Sequence, residues 1–265
     1  MTQSYLTVEH LQKVYKSKEN ETIALQDVNF GVKQGEFVAI MGESGSGKST
    51  LLNILATFDQ ATAGHVLLNE QDLSQIKAHE VASFRRDKLG FVFQDFNLLD
   101  TFTNQDNILL PLVLAETKKQ VMHQRLEKIA SFLGIEELLE KYPYQISGGQ
   151  AQRIAIARAL ITQPEIILAD EPTGSLDSRT AANILNIFKQ MNQTGNTILM
   201  VTHSVKAAAS AERVLFIRDG IIFHEVYRGS QSDQDFHERI AESLAMVNQP
   251  SVDFHAGVYR QRGEA

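Results

Sequence analysis

The apolar positions of this chain recur with two periods, as short continuous runs and as stripes three or four residues apart. Runs at residues 6–8, 23–30 and 37–41, with Lys33-Gln34-Gly35 as a turn, predict a strand-rich opening. The pattern then changes to a glycine and serine loop at residues 42–47 and a helical run at residues 50–57 whose Leu51, Leu52, Ile54 and Leu55 share one face. Short strands are expected at residues 66–68 and 89–93, with a helix at residues 80–86 between them. From Thr103 to about Leu160 strand signals vanish, and the stripe at residues 119–133 continues through residues 136–141 until Tyr142-Pro143-Tyr144 ends it. Strand and helix then alternate again: residues 166–169, a helix at 181–192, residues 197–202, and a hairpin of 214–217 with 221–223 across Asp219-Gly220. Unbroken apolar strands alternating with helices predict an α/β fold, a mostly parallel sheet covered on both faces, with an antiparallel opening and a helical insertion. A last stripe, Phe236, Ile240, Leu244 and Val247, predicts a helix at residues 233–247, and the residues after Gln249 read as a frayed polar tail.

Composition narrows the class. With 265 residues, 43% of them hydrophobic, the chain can bury a sizeable core. A net charge of −7 disfavours nucleic acid and direct lipid binding. No apolar run approaches the length of a membrane span, and the first ten residues lack the features of a secretory signal. Cysteine is absent, which excludes disulfides and thiolate chemistry and agrees with a cytosolic address.

The chemistry concentrates at strand ends. Gly42-Glu43-Ser44-Gly45-Ser46-Gly47-Lys48-Ser49 matches the phosphate-loop pattern without a mismatch, between a predicted strand and a predicted helix. Glycines let the backbone N–H groups converge on an anion, the helix start adds its dipole, Lys48 adds a full charge and Ser49 a hydroxyl for magnesium. Asp170 and Glu171 come directly after the strand at 166–169, where ligands of open α/β sheets bind, so one can hold magnesium and the other can activate water. His203 and Gln94 end two further strands in the same way. Ser147-Gly148-Gly149-Gln150 opens an apolar-faced helix and forms a second anion site of the same physical kind, which makes sense if it faces the phosphate of another subunit's nucleotide.

In this order the motifs resemble those of the ATP-binding cassette (ABC) ATPases, over roughly residues 6–225. The resemblance assigns Gly42, Ser44, Gly45, Ser46, Gly47, Lys48, Ser49 and Thr50 to the phosphate loop, Gln94 to the Q-loop, and Ile146 through Gln150 to the signature. It assigns Asp170 and Glu171 to the second Walker motif, Ser175-Leu176-Asp177 to the D-loop, His203 to the switch histidine, and Tyr15 to an aromatic that stacks on adenine. The implied cofactors are ATP and Mg2+, with Glu171, His203 and Gln94 catalytic and Ser49, Gln94 and Asp170 at the metal. Departures from the family pattern are Ile146 for leucine, Ala151 for glutamine and Ser204 for aspartate, and none removes a group expected to touch nucleotide. The implied division is an ATPase domain over residues 1–230, its helical subdomain at about 95–160, and an extension over 231–265.

The resemblance also implies partners: a second copy, head to tail around two nucleotides, and a membrane permease. Phe93 through Asp100, with Asn107 through Leu112 beyond it, is most similar to the macrolide and lipoprotein exporter group, nearest the transporters that answer bacitracin and lantibiotics. Phe96, Leu98 and Leu99 are the expected docking residues, which places the subunit on the inner face of the membrane. A lipoprotein-release ATPase or a non-transporting regulator, such as a cell-division cassette, would carry the same active site and differ in its permease. A DNA-repair cassette would need a long coiled-coil insertion between Lys48 and Ser147, and a ribosome-associated one normally carries two cassettes, so both rank below these.

Overall fold

The computed structural model describes residues 4–17 and 20–247, and the expected tail beyond Gln249 lies outside them. Among the described residues, ten strands form one sheet. They are β1 (Leu6–Lys16), β2 (Glu21–Val32), β3 (Phe37–Met41), β4 (Ala63–Leu68), β5 (Gln71–Asp72), β6 (Leu89–Val92), β7 (Ile166–Asp170), β8 (Ile198–Val201), β9 (Arg213–Arg218) and β10 (Ile221–Tyr227). Their spatial order is β5-β4-β1-β2-β10-β9-β3-β8-β7-β6. β9, β3, β8, β7 and β6 run parallel, while β5, β4, β1 and β2 pair antiparallel at the other end.

The apolar runs are unbroken because both faces of the parallel strands are buried. Phe37, Ala39 and Met41 of β3 enter one core together with Ile167, Ala169, Ile198, Met200, Val214 and Phe216. Val38 and Ile40 enter the opposite core with Ile166, Leu168, Leu199, Val201, Leu215 and Ile217. Successive side chains of a strand alternate between faces, so each strand contributes to two layers at once.

One face is covered by α1 (Lys48–Leu55), whose Leu51, Leu52, Ile54 and Leu55 are buried, and by Phe84 of α2 (Val81–Lys88). The other is covered by α3 (Asn104–Leu114), α4 (Lys119–Leu133), α5 (Gly148–Leu160) and α6 (Ser178–Gln193), joined by the short α7 (Val205–Ala208) and by α8 (Asp233–Val247). Phe236, Ile240 and Val247 of α8 are buried in that same core. Arg228 fastens the start of α8, ion-pairing with Asp233, lying 5.1 Å over the Phe236 ring and donating to the carbonyls of Ala209 and Ala211.

Two local expectations are corrected. The α4 stripe does not continue through residues 136–141, because Gly134 takes a left-handed conformation (φ 61°) that ends the helix and leaves only a turn of 3-10 helix at Glu136–Leu138. The helical run expected over residues 50–57 stops at Leu55, short of Thr57 (φ 58°), while α1 starts at Lys48, as the phosphate loop requires, with left-handed Gly47 ahead of it. The hairpin turn forms at Asp219 (φ 50°) and Gly220 (φ 73°), two positive φ values that suit the twist of its strands. Only glycine fits the second position, because a Cβ there would lie 2.9 Å from the Ala24 carbonyl oxygen and Leu25 Cα of β2.

Candidate functional site

The loop between β3 and α1 packs too tightly for side chains at two of its glycines. A Cβ on Gly42 would lie 2.3 Å from the Ile217 carbonyl oxygen, and one on Gly47 (φ 103°) would lie 2.6 Å from that of Ala24. Gly45 differs, combining φ 82° with no atom within 4 Å of a Cβ, so it turns the loop on its open side. Ser44 and Ser49 are exposed and Thr50 is half-buried. Ser46 is buried and its hydroxyl has no partner, a polar atom left over inside the loop.

Lys48 is only 9% exposed and folds back over the loop, where Nζ donates to the carbonyls of Gly42 (2.8 Å) and Glu43 (2.7 Å). Burial pushes the Lys48 ammonium below its ordinary pKa, and the charges of Glu171, Asp170 and Glu43 pull it back only partly. Asp170, at the end of β7, is shifted the opposite way: burial and the neighbouring Glu171 raise its carboxyl, against the attraction of Lys48. The three groups therefore form one coupled charge cluster, across the strand order β3-β8-β7.

Glu171 is held by three donors. Its Oε1 accepts from the His203 backbone N–H (2.8 Å) and lies 2.7 Å from His203 Nδ1, while Oε2 accepts from Thr202 Oγ1 (2.9 Å). Its backbone sits at φ 44°, a left-handed conformation uncommon for a residue with a side chain and one often found where a site dictates geometry. β7 and β8 are neighbours, which is what brings the acid and the histidine together. The Thr202 hydroxyl is a site group that sequence reasoning misses, since a threonine ending an apolar strand carries no signal on its own.

Gln94 stands just past β6, at the next strand end. Its carbonyl accepts from Ser175 Oγ (3.0 Å), and its amide crowds Gly174, where a Cβ would lie 3.2 Å from Cδ and Nε2. Two residues of α5 outside the sequence motifs hold this segment. Gln152, fully buried, donates to the Pro172 carbonyl (2.7 Å), and Arg158 donates to those of Phe96 (2.9 Å) and Asn97 (2.6 Å), both at positive φ. Neither has a motif to betray it; a polar residue on the apolar face of α5 is the available clue for Gln152.

Ser147 caps α5, with Gln150 N–H on its hydroxyl (3.4 Å) and its own N–H on Gln150 Oε1 (2.9 Å). The loop lies against Leu176 and Thr180: a Cβ on Gly149 would fall 2.2 Å from Thr180 Cγ2, and one on Gly148 would fall 3.4 Å from Leu176 Cδ2 and 3.5 Å from Phe96 Cζ. An open cavity of about 610 Å3 adjoins it, lined by Ser147, Gly149, Gln150, Arg153, Glu136 and Thr180 among others. Of the docking candidates, Leu98 packs on the core, Phe96 is half-buried beside Gly148, and Leu99 is 43% exposed. Tyr15 stands on the antiparallel part of the sheet, with its hydroxyl on Asp59 Oδ2 (2.8 Å).

The ABC transporter family model matches residues 25–174, which contain the phosphate loop, the signature and both acids. The chain belongs to the ABC transporter family. It is 48% identical over 243 residues to the ABC transporter ATP-binding protein YxdL of Bacillus subtilis, covering 91% of this chain and 94% of that one. It is 43% identical to the bacitracin export ATP-binding protein BceA of Halalkalibacterium halodurans, covering 91% and 96%. Against the macrolide export ATP-binding/permease protein MacB of Psychrobacter cryohalolentis it is 42% identical, covering 92% of this chain but 36% of that longer protein. A dimeric structure of the cassette MJ0796 of Methanocaldococcus jannaschii, in a post-hydrolysis state bound to ADP and phosphate, superposes with a TM-score of 0.76 at 40% identity, covering 84% of this chain and 98% of that one. This cassette is thus the ATP-binding subunit of an ABC transporter and an ATPase. Among its described residues no helix is long and apolar enough to cross a membrane.

The Asp170 shift gives a test of sign. A carboxyl whose folded pKa is raised penalises folding wherever it is ionised, so the penalty is full above the raised value, fades as pH falls through it, and vanishes below the unfolded value of about 3.9. Asp170→Asn should therefore raise the melting temperature of the nucleotide-free cassette at pH 7.5 and lose that advantage toward acid. A variant less stable than wild type at pH 7.5 would show the carboxylate to be a net stabiliser instead.

Proposed function

We propose that Lys48 and the N–H groups of the phosphate loop hold the ATP phosphates, and that Tyr15 stacks on the adenine. Lys48 exchanges its two carbonyl partners for phosphate oxygens, which relieves the cost of keeping an ammonium buried beside neutral acceptors. The Ser49 hydroxyl and the Asp170 carboxylate would hold a magnesium ion, being hard oxygen donors of the kind this cation takes. When bound, the ion neutralises charge on the transferring phosphoryl group. Gln94, on the neighbouring strand end, would offer its amide oxygen to the same ion. Glu171 is the general base for the attacking water, and His203 and Thr202 orient its carboxylate. The observation that carries this reading is the three-donor grip on Glu171 beside the Lys48 and Asp170 charges.

The signature loop Ser147 to Gln150 rests on Leu176 and Thr180, with a cavity at its mouth, and a second copy head to tail would place its phosphates there. ATP binding then closes the homodimer and hydrolysis reopens it, a cycle that a separate permease converts into movement. The subunit works at the inner face of the membrane, in antimicrobial-peptide resistance or export, a reading supported by its likeness to the bacitracin export protein. Exposed Leu99 and half-buried Phe96, on the segment behind Gln94, are the permease contacts, with Leu98 fixing that segment to the core.

Two variants test these assignments. Glu171→Gln keeps the shape but loses the base, so hydrolysis should fall by a factor of about 10² or more while ATP remains bound. With ATP and magnesium this variant should elute as a dimer on size exclusion; a nucleotide-loaded monomer at every concentration contradicts the shared site. Leu99→Glu, on an exposed side chain, should leave ATP turnover by the isolated subunit unchanged and prevent co-purification with the permease, and normal co-purification would move the docking surface elsewhere.

A further inference from the structure

Tyr15 lies at the exposed C-terminal end of β1, where a side chain that is 42% exposed has little packing to hold it. Two groups fix it instead. Its hydroxyl donates to Asp59 Oδ2 (2.8 Å), and the ammonium of Lys13 stands 4.8 Å from the ring centroid. Lys13 and Tyr15 are two apart on one strand and so share a face. The Lys13 head is itself pinned, donating to Asp59 Oδ1 (2.6 Å) and to the Gln60 carbonyl (2.8 Å). A cation over an aromatic face is favourable and occupies that face, leaving the opposite one for a flat base.

Asp59 has its own anchorage. Its backbone N–H and that of Phe58 donate to the Asn53 carbonyl (3.2 and 2.8 Å), in the last turns of α1. The loop is stitched to β1 again where Thr62 N–H meets the Gln12 carbonyl (2.8 Å) and Val14 N–H meets Thr62 Oγ1 (3.0 Å). Burial pushes the Asp59 carboxyl up, yet the hydrogen bonds of Lys13, Tyr15 and the Gln60 N–H hold it below its ordinary value, so it accepts as an anion at neutral pH. One continuous segment, residues 42–62, thus carries the phosphate loop at its start and the grip on Tyr15 at its end.

We infer that Asp59 and Lys13 are positioning residues that lock the Tyr15 ring as the adenine platform, so that α1 sets the distance between the base site and the phosphate site. The inference rests on the proposed stacking of Tyr15 on adenine. A ring held in place before binding loses no rotamer freedom when the base arrives, so the lock should appear as affinity for the base half of the nucleotide alone.

Calorimetry on the full chain with ADP, and separately with inorganic tripolyphosphate, each with magnesium, tests it. Asp59→Asn should weaken ADP by about five- to tenfold, the loss expected for one charge-assisted hydrogen bond, and leave tripolyphosphate within about twofold. Asp59→Glu should recover part of the ADP affinity. If Asp59→Asn weakens both ligands equally, Asp59 supports only the phosphate loop and the inference fails. Should Asp59→Asn not fold, Tyr15→Phe removes the same bond from the other side and carries the same expectation. Tyr15→Ala separates the two levels: unchanged ADP affinity would sink the stacking itself, whereas weakened ADP binding with Asp59→Asn at wild-type affinity would sink the lock alone.

Discussion

A lysine ammonium buried at the start of α1, with two backbone carbonyls as its partners, governs the rest of this cassette. Such a charge is costly to keep out of water unless anions stand near it. The sheet supplies them, since β7 delivers Asp170 and Glu171 from one strand beyond β8. Burial first, and then the repulsion of Glu171, raise the carboxyl of Asp170. On the proposed reading, phosphate and a divalent cation would relieve both sides at once, one bringing negative charge to Lys48 and the other positive charge to Asp170.

The positions of the remaining parts are set by where the parallel strands end. β3, β8, β7 and β6 deliver the phosphate loop, His203, the acids and Gln94 in spatial order, although the chain visits them as β3, β6, β7 and β8. α5 then ties the outlying pieces together, with its N-terminal loop against Thr180, Gln152 on the Pro172 carbonyl and Arg158 on those of Phe96 and Asn97. A shift of α5 would therefore pull on the segment behind Gln94.

Much of this is legible in the sequence because its signals are local. Strands buried on both faces need unbroken apolar runs, a phosphate loop needs its glycines at fixed offsets, and an acid pair after such a run lands at the sheet edge. The features that escape a sequence reading depend on neighbours distant in the chain. Thr202 meets Glu171 only because β7 lies beside β8, and Asp59 meets Tyr15 only because the loop after α1 folds back onto β1. The stop at Gly134 is visible as a glycine but is outweighed by the helical stripe, although its left-handed conformation decides where α4 ends.

If the buried Lys48 charge exists to meet phosphate, the most direct measurement is ATP turnover by purified Lys48→Ala, with cooperative thermal unfolding as the control for folding. Since the substitution removes a half-satisfied buried charge, the apo protein should stay folded while turnover drops to background and the rise in melting temperature on adding ATP and magnesium disappears. A folded Lys48→Ala cassette that still hydrolyses ATP would contradict that role for the lysine.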